Sequence, residues 1–404
     1  MKVLLKLAIR NLLGAGLRTW LNVVVLSLTF VVIITGQGLF RGMGDQAARA
    51  SIEAEYGGGQ FWHSAYDPYN PLTIQDAHGP IPDQLLPLIA SHQATPILII
   101  QGTLYPQGRF LPVLIKGIDP AQNILKLPSA ALLNAALPET KAPTIPDEIP
   151  AFIGTRMATT ARLSVGDTVI LRWRNAHGAF DARTIRIVHI FRTIVQSVDS
   201  GQVWIPLPYL QAMASLPAQA TIITLAPGAA PPSTLSADNW VYRDLRFLLR
   251  DIDQLVAAKT VGSTTVYLIL LFMALLAIFN SQVLNIFHRL KEIGTLVALG
   301  LTRRQIVLLF TLEGTLQAVL AAVLAALYGY PLLSAFARTG WKMPEAFDSF
   351  GIALGERLVP VFTGGIIIGT VILIMTLTAI ISFMPARRLS QLRPTDALRG
   401  NCND

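Results

Sequence analysis

The chain has 404 residues, of which 52% are apolar and only 14% charged, against about 25% charged in an ordinary soluble domain. A mean hydropathy of +0.51 argues the same way, and a single cysteine excludes both a disulfide-stapled scaffold and a cysteine-based zinc site. A formal net charge of +8 is compatible with a nucleic-acid partner only until the charges are placed along the chain.

Residues 1–18 carry Lys2, Lys6, Arg10 and Arg18 and no acid. Thr19–Phe40 is then free of charge as far as Arg41, which predicts a first membrane span over residues 19–41. It is too long for the apolar core of a cleaved signal peptide, and no small-x-small pattern follows it closely, so it reads as an uncleaved anchor. Residues 42–258 have a different texture. Proline is dense from Pro68 to Pro150, which favours irregular connections and edge strands. Alternation predicts strands at Val113–Ile118, Thr168–Trp173, Thr184–Ile190 and Gln202–Ile205, with the middle pair forming a hairpin about a short turn, Arg174–Asp181. Leu207–Leu216 and Val241–Ala258 read as helices, the second running on into the next span. This segment is long enough to bury its own core and is expected to be a mixed α+β domain.

A second span is predicted over 259–287, a connection over 288–304, a third span over 305–337, an outer loop over 338–357, a fourth span over 358–385 and a tail over 386–404. Each apolar run exceeds the roughly 20 residues that cross a bilayer. Only Glu313 interrupts one of them. An intramembrane acid is a functional candidate by default. Glu313, however, lies only nine residues after Arg304, close to the interface, so structural pairing is favoured over a proton relay.

The charges set the orientation. The first segment, the 288–304 connection and the tail together hold twelve basic and three acidic residues, whereas residues 41–259 hold seventeen of each and the 338–357 loop three of each. The whole net charge therefore falls on one side of the membrane, which the positive-inside rule makes the cytoplasm. Both termini are expected there, the large domain outside, and the basic excess facing anionic lipid headgroups, not nucleic acid. No phosphate-binding G-x-x-x-x-G-K-[ST], no H-E-x-x-H and no G-x-S-x-G occurs. The six histidines, at 63, 78, 92, 177, 189 and 288, are scattered. No catalytic residue, metal ligand or cofactor is expected in this chain.

The connection after the second span is the most informative stretch. Arg289, Lys291, Glu292, Ile293, Gly294, Leu296, Ala298, Leu299 and Gly300 fall in a segment whose apolar residues are close to helical spacing, consistent with a short interfacial helix that docks on a cytoplasmic partner. This run resembles the FtsX-like permease signature, R-x-x-E-I-G, then A-L-G, then an E-G matched here by Glu313 and Gly314. Leu7–Leu13 with Arg18-Thr19 looks like the amphipathic N-terminal helix of that family, and Pro385-Ala386-Arg387-Arg388 with Pro394–Arg399 looks like its closing signature. In the outer domain Gly117-Ile118-Asp119-Pro120, Ile153-Gly154, Val165-Gly166-Asp167 and Asp199 resemble the MacB-type periplasmic core. The layout is similar to that of the LolC/LolE-type lipoprotein-release permeases.

The resemblance implies four transmembrane helices with a MacB-like domain inserted between the first two, in a type VII ABC transporter permease of the bacterial inner membrane. It implies two copies of a separate cytoplasmic ATPase, which would carry ATP and Mg, and a second permease copy or a paralogue. It also implies mechanotransmission from the ATPase to the outer domain through residues 289–304. The substrate class implied is lipophilic, lipoprotein first; a periplasmic carrier is also implied, although the short Arg174–Asp181 turn departs from the longer carrier-recruiting loop of the LolC type. The alternative is an FtsX-like regulator that activates an extracytoplasmic cell-wall hydrolase and moves no substrate.

Overall fold

The computed structural model describes residues 2–13, 16–129, 147–232, 239–289, 294–295, 300–342 and 357–389. The chain divides into two units: Met1–Met43, Val256–Lys342 and Arg357–Asp404 contribute to one, and Gly44–Leu255 to the other.

The principal helices are α1 (Lys2–Leu13), α2 (Leu17–Ser51), α3 (Arg250–His288), α4 (Arg303–Thr339) and α5 (Gly364–Leu389). The last four are long and apolar enough to cross a membrane. The 35 residues of α2 rise about 50 Å, well beyond the ~30 Å of hydrocarbon. Several boundaries differ from the sequence reading: α2 runs ten residues past residue 41 and α5 four past residue 385. The fourth helix begins at Gly364, not at residue 358, because Arg357–Leu358 pairs antiparallel with Trp341–Lys342 and Pro360 disfavours helix in the residue before it. Val241–Arg243, expected to be helical, belongs to a strand. Its aromatic and β-branched side chains suit a sheet edge, and Asp244 starts the helix only afterwards by accepting from the Phe247 N–H at 2.9 Å.

Within the membrane unit, Val23, Leu26, Phe30 and Ile33 of α2 are buried at alternating spacings of three and four. They cluster with Leu271, Ala274, Leu275 and Ile278 of α3 and with Ala318, Ala321 and Ala325 of α4. Small residues matter here because lipid supplies no hydrophobic drive for helices to associate; close backbone approach does. The hydroxyls of Thr29, Thr35, Thr311 and Thr376 donate to carbonyls four residues earlier, at 2.6–2.9 Å, so they are satisfied without water. α4 opens with a reciprocal cap: the Thr302 hydroxyl accepts from the Gln305 N–H, and the Gln305 side chain accepts from the Thr302 N–H at 2.8 Å.

Among the described residues, the main sheet of the outer unit has nine strands: β1 (Gln60–His63), β2 (Ala94–Leu104), β3 (Leu111–Ile118), β4 (Glu148–Gly154), β5 (Thr168–Arg174), β6 (Phe180–Phe191), β7 (Gln202–Pro206), β8 (Ile222–Leu225) and β9 (Trp240–Arg243). The strands expected from alternation all lie within these, and Leu207–Ala214 is helical. The order is β9-β1-β8-β2-β3-β7-β4-β6-β5, and β5 pairs back onto β2. β2 serves two neighbours along one edge: residues 94–97 pair with β8 and residues 102–104 with β5. Strands β2, β3, β7, β4, β6 and β5 thus close a ring. Side chains alternate across it. Val203 and Ile205 join one core with Ile115, Ile153, Leu171 and Ile187, while Trp204, between them, joins another with Phe152 and Ile99.

Polar anchors tie this unit together. Asp199, 1% exposed, accepts from the N–H groups of Thr155 and Arg156 at 2.9 and 3.2 Å and from the Arg156 guanidinium at 3.3 Å. Gly154 lies so close to Asp199 that no side chain fits. Lys116, 2% exposed, pairs with Glu55 at 2.7 Å; Gln202 donates to the same carboxylate oxygen, and Trp204 presents its ring to the ammonium at 5.1 Å. Glu55 sits in a π-helical turn, Ile52–Tyr56, at the end of α2. The β5–β6 turn is short: Asn175 and Ala179 close it through an N–H to carbonyl bond of 2.9 Å.

Candidate functional site

A buried ion pair and several polar side chains lie where α3, α4 and α5 meet. Ile286, Ile306, Phe310 and Ala386 form a small buried cluster. Beside it the Arg289 guanidinium, just past the end of α3, approaches both carboxylate oxygens of Glu313 at 3.4 Å. Only 4% of the Glu313 side chain is exposed and 25% of that of Arg289. The guanidinium also stands 5.9 Å from the Phe310 ring, one turn before Glu313. Pairing is what makes an acid tolerable at this depth, since removing one partner of a buried pair leaves an uncompensated charge.

Gly314 follows directly. A Cβ there would overlap the Ser382 hydroxyl of α5 and come within 3.1 Å of the Gln282 amide of α3. Three helices therefore touch at a position where only glycine fits. Gln282 and Ser382, with Gln317 and Thr378 on the same helices, are buried, and among the described residues their side-chain polar atoms have no hydrogen-bond partner. This contrasts with the back-bonded threonines elsewhere in the bundle.

The nine residues singled out in the connection are only partly visible. Lys291, Glu292, Ile293, Leu296, Ala298 and Leu299 lie outside the described residues. Gly294 is buried in a helical turn with Thr295, and Gly300 is exposed with a φ of +96°. Arg289 and Glu313, 24 residues apart, are brought together. Sequence reasoning passed over Gln282, Gln317, Thr378 and Ser382 because they are uncharged. Their signal was spacing: Gln317 falls four residues after Glu313 and Ser382 four after Thr378, one helical face each.

The outer unit has a cleft of about 970 Å3, floored by Ile100, Val113, Trp173 and Leu216 and rimmed by His78, Arg172, Arg174 and His177. Arg174 donates to the Gln75 side chain at 2.9 Å, and Arg172 lies 4.4 Å over the Phe180 ring. Among the described residues no three His, Cys, Asp or Glu side chains are grouped so as to hold a metal ion.

Compared with known proteins, residues 264–394, about a third of the chain, match the FtsX-like permease C-terminal domain. No curated protein matches the sequence. Among solved structures, the periplasmic region of MacB from Actinobacillus actinomycetemcomitans aligns with a TM-score of 0.32 and 11% identity, over 49% of this chain and 94% of that one. The matched region takes in the last 25 residues of α3, all of α4 and α5, and the Arg289–Glu313 junction between them; over those residues the chain is similar to the FtsX-like permease C-terminal domain.

Proposed function

We propose that this chain is the permease subunit of a type VII ABC transporter in the bacterial inner membrane. A separate cytoplasmic ATPase, present in two copies, supplies ATP and Mg, and a second permease copy or a paralogue completes the assembly. Residues 289–304 form the coupling segment, with Arg289, Lys291, Glu292, Ile293, Gly294, Leu296, Ala298, Leu299 and Gly300 transmitting ATPase motion. The observation that carries this reading is the Arg289–Glu313 pair. It ties the start of the coupling segment to the interior of α4, so displacement of the segment has a path into the bundle. Glu313 acts structurally in this reading. The uneven charge distribution supports cytoplasmic termini and an outer domain beyond the membrane.

The substrate is lipophilic, with lipoprotein the first choice on the LolC/LolE-like layout; an apolar-floored cleft in the outer unit agrees with such a cargo. The five-residue β5–β6 turn argues against a projecting carrier-recruiting loop at that place. The test is reconstitution of the permease with its ATPase in proteoliposomes loaded with lipoprotein. ATP-dependent release is expected. ATP-dependent activation of a cell-wall hydrolase without release would replace this reading by the regulatory one. Glu292→Ala together with Gly294→Pro is expected to abolish stimulation of the ATPase while leaving the permease folded; unchanged stimulation would remove the coupling assignment.

A further inference from the structure

At the start of α4, Arg303, Arg304, Val307, Leu308 and Thr311 repeat along one helix face, and on α5 Phe383 and Arg387 stand one turn apart. The two faces line a groove of about 460 Å3, within the ~300–1,000 Å3 usual for small-molecule sites. Its chemistry is graded along its length. Three arginines mark one end, Val307, Leu308 and Phe383 supply apolar walls, and no carboxylate lines it among the described residues. Thr311 offers its hydroxyl proton inward, to the Val307 carbonyl at 2.8 Å. Leu308 and Phe383 remain 41% and 42% exposed.

Depth decides what fits. Arg303 to Thr311 is about 12 Å of helix rise, whereas the headgroup layer on each side of a bilayer is only about 5–8 Å thick. The groove therefore begins among headgroups and ends among acyl chains. Its occupant must be anionic at one end and apolar at the other. A free anion would leave the walls bare, and a soluble acidic protein would not follow the groove to acyl depth.

We propose that this groove binds one anionic phospholipid, its phosphate held by Arg303, Arg304 and Arg387 and an acyl chain laid along Val307, Leu308 and Phe383. Guanidinium forks match phosphate oxygens two at a time, which a lysine cannot do. The site needs only that α4 and α5 lie in a bilayer; it does not depend on whether the chain moves a substrate.

The test is native mass spectrometry of the full chain, equilibrated with phosphatidylcholine vesicles containing a minor fraction of phosphatidylglycerol. The wild type is expected to retain phosphatidylglycerol in preference to phosphatidylcholine, with a loss of about fivefold for each arginine replaced by glutamine. Lys6→Gln with Arg10→Gln, which remove the same kind of charge outside the groove, should leave the preference intact. Leu308→Trp fills the groove while keeping all three arginines, and should lower retention of the lipid. Equal retention of the two lipids by the wild type overturns the proposal. So does an undiminished preference in Leu308→Trp, which would mean diffuse attraction to the surface. Displacement of the lipid by inorganic phosphate would show a headgroup-only anion site and overturn it as well. Loss of ATPase co-purification in the glutamine variants, without any lipid preference in the wild type, would make the arginines a protein-docking patch.

Discussion

Gly314 has no room for a side chain, and the nearest obstacle is the Ser382 side chain, with the Gln282 amide next. Gly314→Ala should destabilise the bundle by about 1–3 kcal/mol, the usual range for overpacking, and Ser382→Gly in the same chain should recover most of it. Thermal aggregation of the detergent-solubilised protein measures both. In the outer unit, His63 is held below the ordinary histidine value of about 6.5 by burial and, secondarily, by His78. Its ring stands edge-on to Trp240 at 5.9 Å, and its Nδ1 accepts from the Ala65 N–H at 3.4 Å, a bond that needs the neutral ring. The unfolded chain takes up this proton first. The contribution is therefore fully present above about pH 6.5 and is lost as the pH falls through that value toward the lower folded one. His63→Phe should flatten the decline in melting temperature between about pH 7 and pH 5.5 relative to the wild type. At this scale the sequence was legible where charge breaks an apolar run, as at Glu313. It was illegible at Gln282 and Ser382, because an uncharged polar side chain in a span can bond back to its own helix, and only the packing reveals that these do not.

Among the elements, the π-helical turn Ile52–Tyr56 holds Glu55 against Lys116 of β3. Lys116→Met alone should cost about 3 kcal/mol, since it strands a half-buried carboxylate, whereas Glu55→Met with Lys116→Met should restore most of that stability. Denaturant titration followed by tryptophan fluorescence distinguishes the two, and equal loss in both variants would show that the pair is not what Lys116 contributes. Helices and strands with strong periodicity were readable from the chain, which is why four long apolar helices and the Thr168–Arg174 hairpin strand were expected and are found. Trp240–Arg243 was not. Four residues are too few for periodicity to separate strand from helix, and its state is decided by β1, 180 residues earlier, which pairs Gln60 with Arg243. Ring closure by β5 on β2 was equally hidden, because alternation marks which face a strand buries and says nothing of its partner.

For the molecule as a whole, the charge census makes a prediction that needs no knowledge of substrate. With the native Cys402 replaced, a cysteine introduced at Phe110, which is 74% exposed, should react with a membrane-impermeant maleimide in intact cells. One introduced at Arg304 should react only after permeabilisation. The reverse pattern would invert the topology and with it the cytoplasmic place proposed for residues 289–304. The ring of strands carries a different consequence. Because β5 returns to β2, only β9 among the described strands of the nine-stranded sheet ends it with an unpaired side, and β9 is four residues long with Arg243 at its end. Short, charged borders are poor templates for intermolecular strand addition, so many copies can crowd together at high expression without seeding aggregates through this sheet.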